Sequence, residues 1–224
     1  MVKSKDAVVH YSFRVDGATI YAPSAIPEGV LNKSLVELGR ILQILRRYHL
    51  LHVGNVSISR SHLKKGAVTI AYQDDDIQEL LSELRHFLLT HENSGYLILT
   101  GLTKVLVHEG NDLQLYGVFK VYYYLTTGKL DISIFIDPWV PIDLNNQLQI
   151  EMAELNAPRL EAALCEINEG LFNDVYPGAD EAVWEDQLGQ KGFKVLINND
   201  LKGFGEVSDL QRKLIEKYLW VNYT

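Results

Sequence analysis

Apolar and polar positions alternate most regularly between Leu113 and Val140, LQLYGVFKVYYYLTTGKLDISIFIDPWV. A period of two over so long a stretch predicts two β-strands, and Thr126-Thr127-Gly128-Lys129 supplies the turn, with Gly128 at the positive-φ position. With Thr127-Gly128 as the loop, Leu125 faces Leu130, Tyr123 faces Ile132, Val121 faces Ile134 and Phe119 faces Ile136. That side is continuously apolar, so a one-residue slip would turn all of it outward. The other side carries Tyr116, Lys120, Tyr122, Tyr124, Asp131, Ser133, Phe135, Asp137 and Trp139.

The rest of the chain alternates between hairpin and helix patterns. Residues 7–13 and 18–22 read as strands flanking an Asp-Gly turn, and a loop from Pro23 to Gly29 follows. Ser34 and Glu37 have capping-box spacing, and Leu38, Ile41, Leu42, Leu45 and Tyr48 recur at helical intervals, which predicts a helix over 34–49. A second hairpin is expected from 53–59 and 67–72, across the basic loop 60–66. Asp74, Asp75 and Asp76 then sit where a helix N-terminus favours carboxylates, and the apolar stripe Ile77, Leu80, Leu81, Leu84, Phe87, Leu88 predicts a helix over 75–91. Residues 7–91 therefore suggest a repeated ββα unit.

Short strands are expected at 96–100 and 104–108. Leu148, Ile150 and Met152 fit a strand or a helix. Asn156-Ala157-Pro158 reads as a helix start, with Leu160, Leu164, Ile167 and Leu171 as the buried stripe of a helix over 157–170. Pro177-Gly178 opens a short acidic helix around Trp184, 193–197 is a candidate strand, and Ser208 caps a last helix over 207–219. Strand connections this short exclude parallel crossovers. The expected architecture is α+β, one domain over 1–224, with a mainly antiparallel twisted sheet around the hairpin 113–140 and an acidic helical part over 143–224.

Composition changes this picture chiefly through charge. The net charge is −8 over 224 residues, yet residues 1–110 hold 12 basic and 11 acidic side chains, whereas 111–224 hold 9 and 18. Between 151 and 190 ten acids face Arg159 alone. A field of that sign repels nucleic acid and attracts basic surfaces. The N-terminal stretch lacks an apolar run with a cleavage site, no window approaches the length of a membrane span, and Cys165 is the single cysteine. These features lead to the expectation of a cytoplasmic protein.

Familiar catalytic signatures are missing. Gly203-Phe204-Gly205 before Ser208 imitates a dinucleotide loop, but only sixteen residues follow and Ser208 serves better as a helix cap. His49 and His52 would meet only if the helix continued past them, and no zinc-ligand spacing occurs. Cys165 lies off its helix stripe with nothing nearby to activate it. Arg60, His62, Lys64 and Lys65 form a basic hairpin tip that solvation alone accounts for. No metal or cofactor is expected.

What remains is the tyrosine-rich side of the hairpin. Tyrosine and tryptophan give large amphipathic contact area at low entropic cost, so Tyr116, Tyr122, Tyr124, Asp131, Asp137 and Trp139 are candidate partner-binding residues. Glu161, Glu166 and Glu169 on the following helix would steer a basic partner, and lysine at these three positions should slow association. In this combination of motif-poor sequence, acidity from Glu151 to Asp186 and an aromatic strand face, the chain resembles the immunity partners of bacterial polymorphic toxins. The resemblance implies an inhibitor that occludes a toxin or enzyme. Two alternatives stay open. One is a hydrolase-like enzyme on small molecules, its site assembled from Asp131, Asp137, His108 and Tyr122. The other is a structural homodimer that buries the aromatic face.

Overall fold

Among the described residues every strand pairing is antiparallel, and six strands stand side by side in the order Val9–Phe13, Leu130–Ile134, Asn111–Tyr124, Tyr96–His108, His52–Ile58, Val68–Ala71. The computed structural model describes residues 9–13, 26–58, 68–72, 76–90, 96–108, 110–139 and 149–173. The elements run β1 (Val9–Phe13), α1 (Glu28–Arg47), β2 (His52–Ile58), β3 (Val68–Ala71), α2 (Ile77–Thr90), β4 (Tyr96–His108), β5 (Asn111–Tyr124), β6 (Leu130–Ile134) and α3 (Ile150–Ile167), which ends in a π-helical turn, Asn168–Asn173. The α+β architecture expected from the pattern is the one observed. The expected strands at 18–22 and 193–197, the helix around Trp184 and the helix 207–219 lie outside the described residues.

The central hairpin forms with its two faces as predicted but with a different register. Phe119 pairs with Ile134, Val121 with Ile132 and Tyr123 with Leu130. The turn is two residues longer than a Thr-Gly loop: Tyr124 N–H donates to the Lys129 carbonyl, and Gly128 N–H returns to the Tyr124 carbonyl at 2.8 Å. Gly128 takes the expected positive φ, 66°. A two-residue shift preserves inside and outside, so every residue of the apolar side is buried.

Helix α1 begins six residues earlier than the capping-box motif indicates, because Pro27 sets the entry and Glu28 opens the first turn. Ser34 and Glu37 are instead tertiary contacts. The buried Ser34 hydroxyl donates to the Leu125 carbonyl at 2.8 Å, and Glu37 accepts from the Tyr123 hydroxyl at 3.0 Å. Together they clamp α1 onto the inner side of the hairpin. Burial, followed by the Glu37 charge, raises the Tyr123 pKa well above the ordinary value of 10. The folded state thus holds this proton more tightly than the unfolded chain. The corresponding stability is complete below about pH 10 and is lost as pH rises through the higher folded value. Tyr123→Phe should flatten the alkaline end of the stability–pH profile measured by urea unfolding.

Helix α2 starts as anticipated, with Asp76 accepting the Gln78 N–H at 2.8 Å. The two strands expected at 96–100 and 104–108 are one, β4, because Gly101 does not break it. At Gly101 the β2 backbone comes so close that a Cβ would lie 1.7 Å from the His52 carbonyl oxygen. Gly117, with φ of 68°, takes up the matching irregularity in β5.

Helix α3 also starts earlier than expected, at Ile150, which resolves the ambiguous 148–152 stretch as helical from that point. Pro158 lies inside it rather than at its first turn. Pro158 and Glu154 are both exposed, so water can meet the carbonyl that proline leaves without a donor. The alternation of Asn156 and Arg159 with Leu160, Ala163 and Leu164 has a specific use. Beyond the end of β2, the edge of β4 would be bare. Asn156, fully buried, accepts the Leu106 N–H at 3.0 Å and donates to the Leu106 carbonyl at 2.7 Å, as a neighbouring strand would. Arg159 donates to the carbonyls of Lys104 and Tyr48, and the His49 carbonyl accepts the Lys104 N–H. The core beneath joins Leu160, Leu164 and Ile167 to Leu38, Leu42 and Leu45 of α1. The helices therefore share the side of the sheet that Tyr123 faces.

Candidate functional site

The opposite side of the sheet is built from rows of paired residues. Register places Ser57, Ile98, Tyr122 and Asp131 in one row, and Tyr96 beside Tyr124 in the next. Paired residues project to the same side, so these side chains share the face turned away from the helices. Tyr96 stacks obliquely on Tyr124 with ring centroids 5.1 Å apart, and on Tyr122 at 6.2 Å. Asp131 lies beneath them, only 5% exposed, and holds the Lys129 ammonium at 2.8 Å. That ammonium is also 5.1 Å from the centre of the Tyr124 ring. Asp131, expected to meet a partner, is thus buried and already bound to Lys129, and the half-buried rings of Tyr96, Tyr122 and Tyr124 are the part of the cluster that an incoming ammonium or guanidinium group would meet.

Burial raises the hydroxyl pKa of both Tyr122 and Tyr124, and the Asp131 charge adds to the shift. At neutral pH these tyrosines are therefore hydrogen-bond donors rather than nucleophiles. Farther along the face, Lys120 sits over the Phe135 ring at 4.6 Å. Tyr116 is 47% exposed and reaches across β4, where its hydroxyl accepts from the Asn55 amide and its ring covers Gly54.

Not every residue expected at this surface belongs to it. Asp137 and Trp139 are buried, at 0% and 1% exposure, and the Trp139 ring lies under the Arg159 guanidinium. They anchor the chain after β6 to α3 and cannot meet a partner. Glu166 accepts two hydrogen bonds from Arg47, at 2.8 and 3.0 Å, so its charge is already neutralised. Glu161 is half-buried and Glu169 is exposed in the π-helical turn. All three belong to the helical side of the sheet, so the acids of α3 and the tyrosines do not form one continuous surface.

The hydrolase-like constellation does not assemble either. His108 ends β4 and pairs with Glu151 at 3.0 Å, both well exposed. It stands ten residues along β4 from Ile98, the partner of Tyr122, or roughly 33 Å at ~3.3 Å per residue. Asp137 is enclosed, so Asp131 and Tyr122 alone of the four are neighbours. Among the described residues no group of three or more His, Cys, Asp or Glu is placed to hold a metal ion, and no helix is long and apolar enough to cross a membrane. No protein-family model, curated protein or solved structure matches this chain.

Two members of the site escape sequence reasoning. Tyr96 joins only because β4 pairs with β5 in one particular register. Lys129 joins because the turn is longer than the Thr-Gly pattern suggests. The strand pattern around Tyr96 signals that it is in a sheet, but nothing local says beside which tyrosines.

Proposed function

We propose that this protein is a cytoplasmic binding module of the immunity or inhibitor type, which docks a basic protein partner on the helix-free side of its sheet and occludes it. The carrying observation is the Tyr96–Tyr122–Tyr124–Asp131 cluster, which already holds an ammonium group, that of Lys129. A lysine or arginine from a partner would meet the half-buried faces of Tyr96, Tyr122 and Tyr124. Neighbouring Tyr116 and Lys120 extend the contact with an exposed aromatic ring and a cation–aromatic pair. The net charge of −9 over 111–224 supplies long-range attraction toward a basic surface, an effect that salt weakens.

The test is affinity capture with the unmodified protein and with the double variant Tyr122→Ala/Tyr124→Ala, followed by affinity measurement on the captured partner. Aromatic anchors contribute about 2 kcal/mol or more when truncated, so the double variant should bind at least ~30-fold more weakly. Val36→Ala, on an exposed position of α1, should leave affinity unchanged. Equal binding by the double variant and the unmodified protein would remove the aromatic face from the interface.

A further inference from the structure

Strand β6 pairs with β5 along Phe119–Tyr123 alone, and the Phe135 N–H extends that contact to the Val118 carbonyl. Gly117, at φ 68°, then interrupts β5, and no strand among the described residues pairs with the outer edge of Asn111–Tyr116. The far edge of β4 shows which backbone groups point there. The N–H and carbonyl of Lys104 and of Leu106 are engaged by His49, Arg159 and Asn156, on the side away from β5. Their partners across the ladder, Gln114 and Asp112, therefore direct their own backbone groups outward, and Tyr116 follows in the same phase.

The side chains leave this edge clear. Asp112 is bound by Lys104 of β4, and the Tyr116 hydroxyl accepts from Asn55 of β2, so both lie back over the sheet. On the helical side Leu113 is 44% exposed, next to Leu115, which packs on the core. Edge strands are ordinarily protected by lysine, proline or an unpaired inward charge. Asn111–Tyr116 has none of these, because its one charge, on Asp112, is balanced by Lys104.

We infer that Asn111–Tyr116 is a dimerisation edge, which pairs antiparallel with the same segment of a second copy, Gln114 opposite Gln114. That register sets Asp112 opposite Tyr116 and Leu113 opposite Leu115, so each pair unites residues of one face. It satisfies the outward groups of Asp112, Gln114 and Tyr116 and covers Leu113. Centring on Asp112 instead would oppose two carboxylates. Centring on Tyr116 would need the Val118 carbonyl, which Phe135 already holds. The two-fold axis stands perpendicular to the joined sheet, so both Tyr96–Tyr122–Tyr124 clusters come to the same side. The pairing itself does not rest on what those clusters bind.

Six residues a side, against the 20–30 of a standard interface, and a charge of −8 on each copy place the expected Kd on the order of 10–100 µM. Sedimentation of the unmodified protein from about 5 to 500 µM should therefore show the monomer mass rising toward twice its value. Gln114→Pro should stay monomeric throughout with its fold intact, since the N–H that proline lacks takes no part in the ladder with β4. Leu113→Lys, at an exposed position, should weaken the dimer at least ~10-fold. In the unmodified protein the Gln114 amide should exchange more slowly as concentration rises, while the Leu113 and Leu115 amides, already bonded to β4, should not change. A monomer at every concentration, a dimer of undiminished strength in both variants, or concentration-dependent protection at Val68–Ala71 in place of Gln114 would each overturn the assignment.

Discussion

Gly101→Ala should destabilise the protein by about 4 kcal/mol or more, enough to leave much of a marginally stable domain unfolded. The added methyl would lie 1.7 Å from the His52 carbonyl oxygen and 2.8 Å from the Gly54 nitrogen. Both are backbone atoms of the strand paired to β4, so relief requires separating two central strands rather than turning a side chain. Gly29→Ala is the control. It lies in the first turn of α1 with nothing within 4 Å of the new methyl, and should be neutral or stabilising by about 0.5 kcal/mol. Urea unfolding of the two variants checks the contrast. A Gly101→Ala protein as stable as the Gly29→Ala protein would mean that β2 and β4 are not this close.

Asn156→Ala should cost about 3–4 kcal/mol, because a fully buried amide is lost together with its partners' satisfaction. Three hydrogen bonds from its nitrogen and oxygen reach Leu106 N–H, Leu106 carbonyl and Met152 carbonyl, and a fourth comes from Arg159. Removing the side chain leaves Leu106 with neither donor nor acceptor on its outer edge. Amide exchange supplies a second readout. The Leu106 N–H should exchange far faster in the variant, while amides in the β5–β6 ladder should slow or quicken only with global stability. Asn156→Asp should not rescue it, since a carboxylate cannot donate to the two carbonyls.

How far the residues alone lead differs between faces, turns and sites. Inside and outside of the hairpin follow from period-two alternation, and that assignment survives a register shift of two residues. Turn length does not follow, because the extra bonds closing on Tyr124 involve backbone groups that any residues would present. Ser34 and Glu37 show a motif with local meaning being used for long-range contact. Their spacing is that of a capping box, yet what they bind is 86 to 91 residues away. Pro158 shows the reverse, a residue that ordinarily starts a helix tolerated within one because its face is wet. Of the aromatic site, Tyr122, Tyr124 and Asp131 are legible as one face, whereas Tyr96 depends on strand pairing. His49 and His52 stack although α1 ends at Arg47, because His49 takes a left-handed conformation for which the local sequence carries no signal. The separation of the tyrosines from Glu161, Glu166 and Glu169 is a property of layers, and composition cannot report it.

The order of strands has a consequence for how the molecule is made. Among the described residues Val9–Phe13 pairs with Leu130–Ile134, more than 110 residues downstream. On a ribosome adding about 5–20 residues per second, Val9–Phe13 must wait roughly 6–25 seconds for Leu130–Ile134 to be synthesised. During that interval α1, β2, β3 and α2 can associate locally, but the sheet cannot close. Nascent chains stalled before Leu130 should therefore be the species that chaperones recognise.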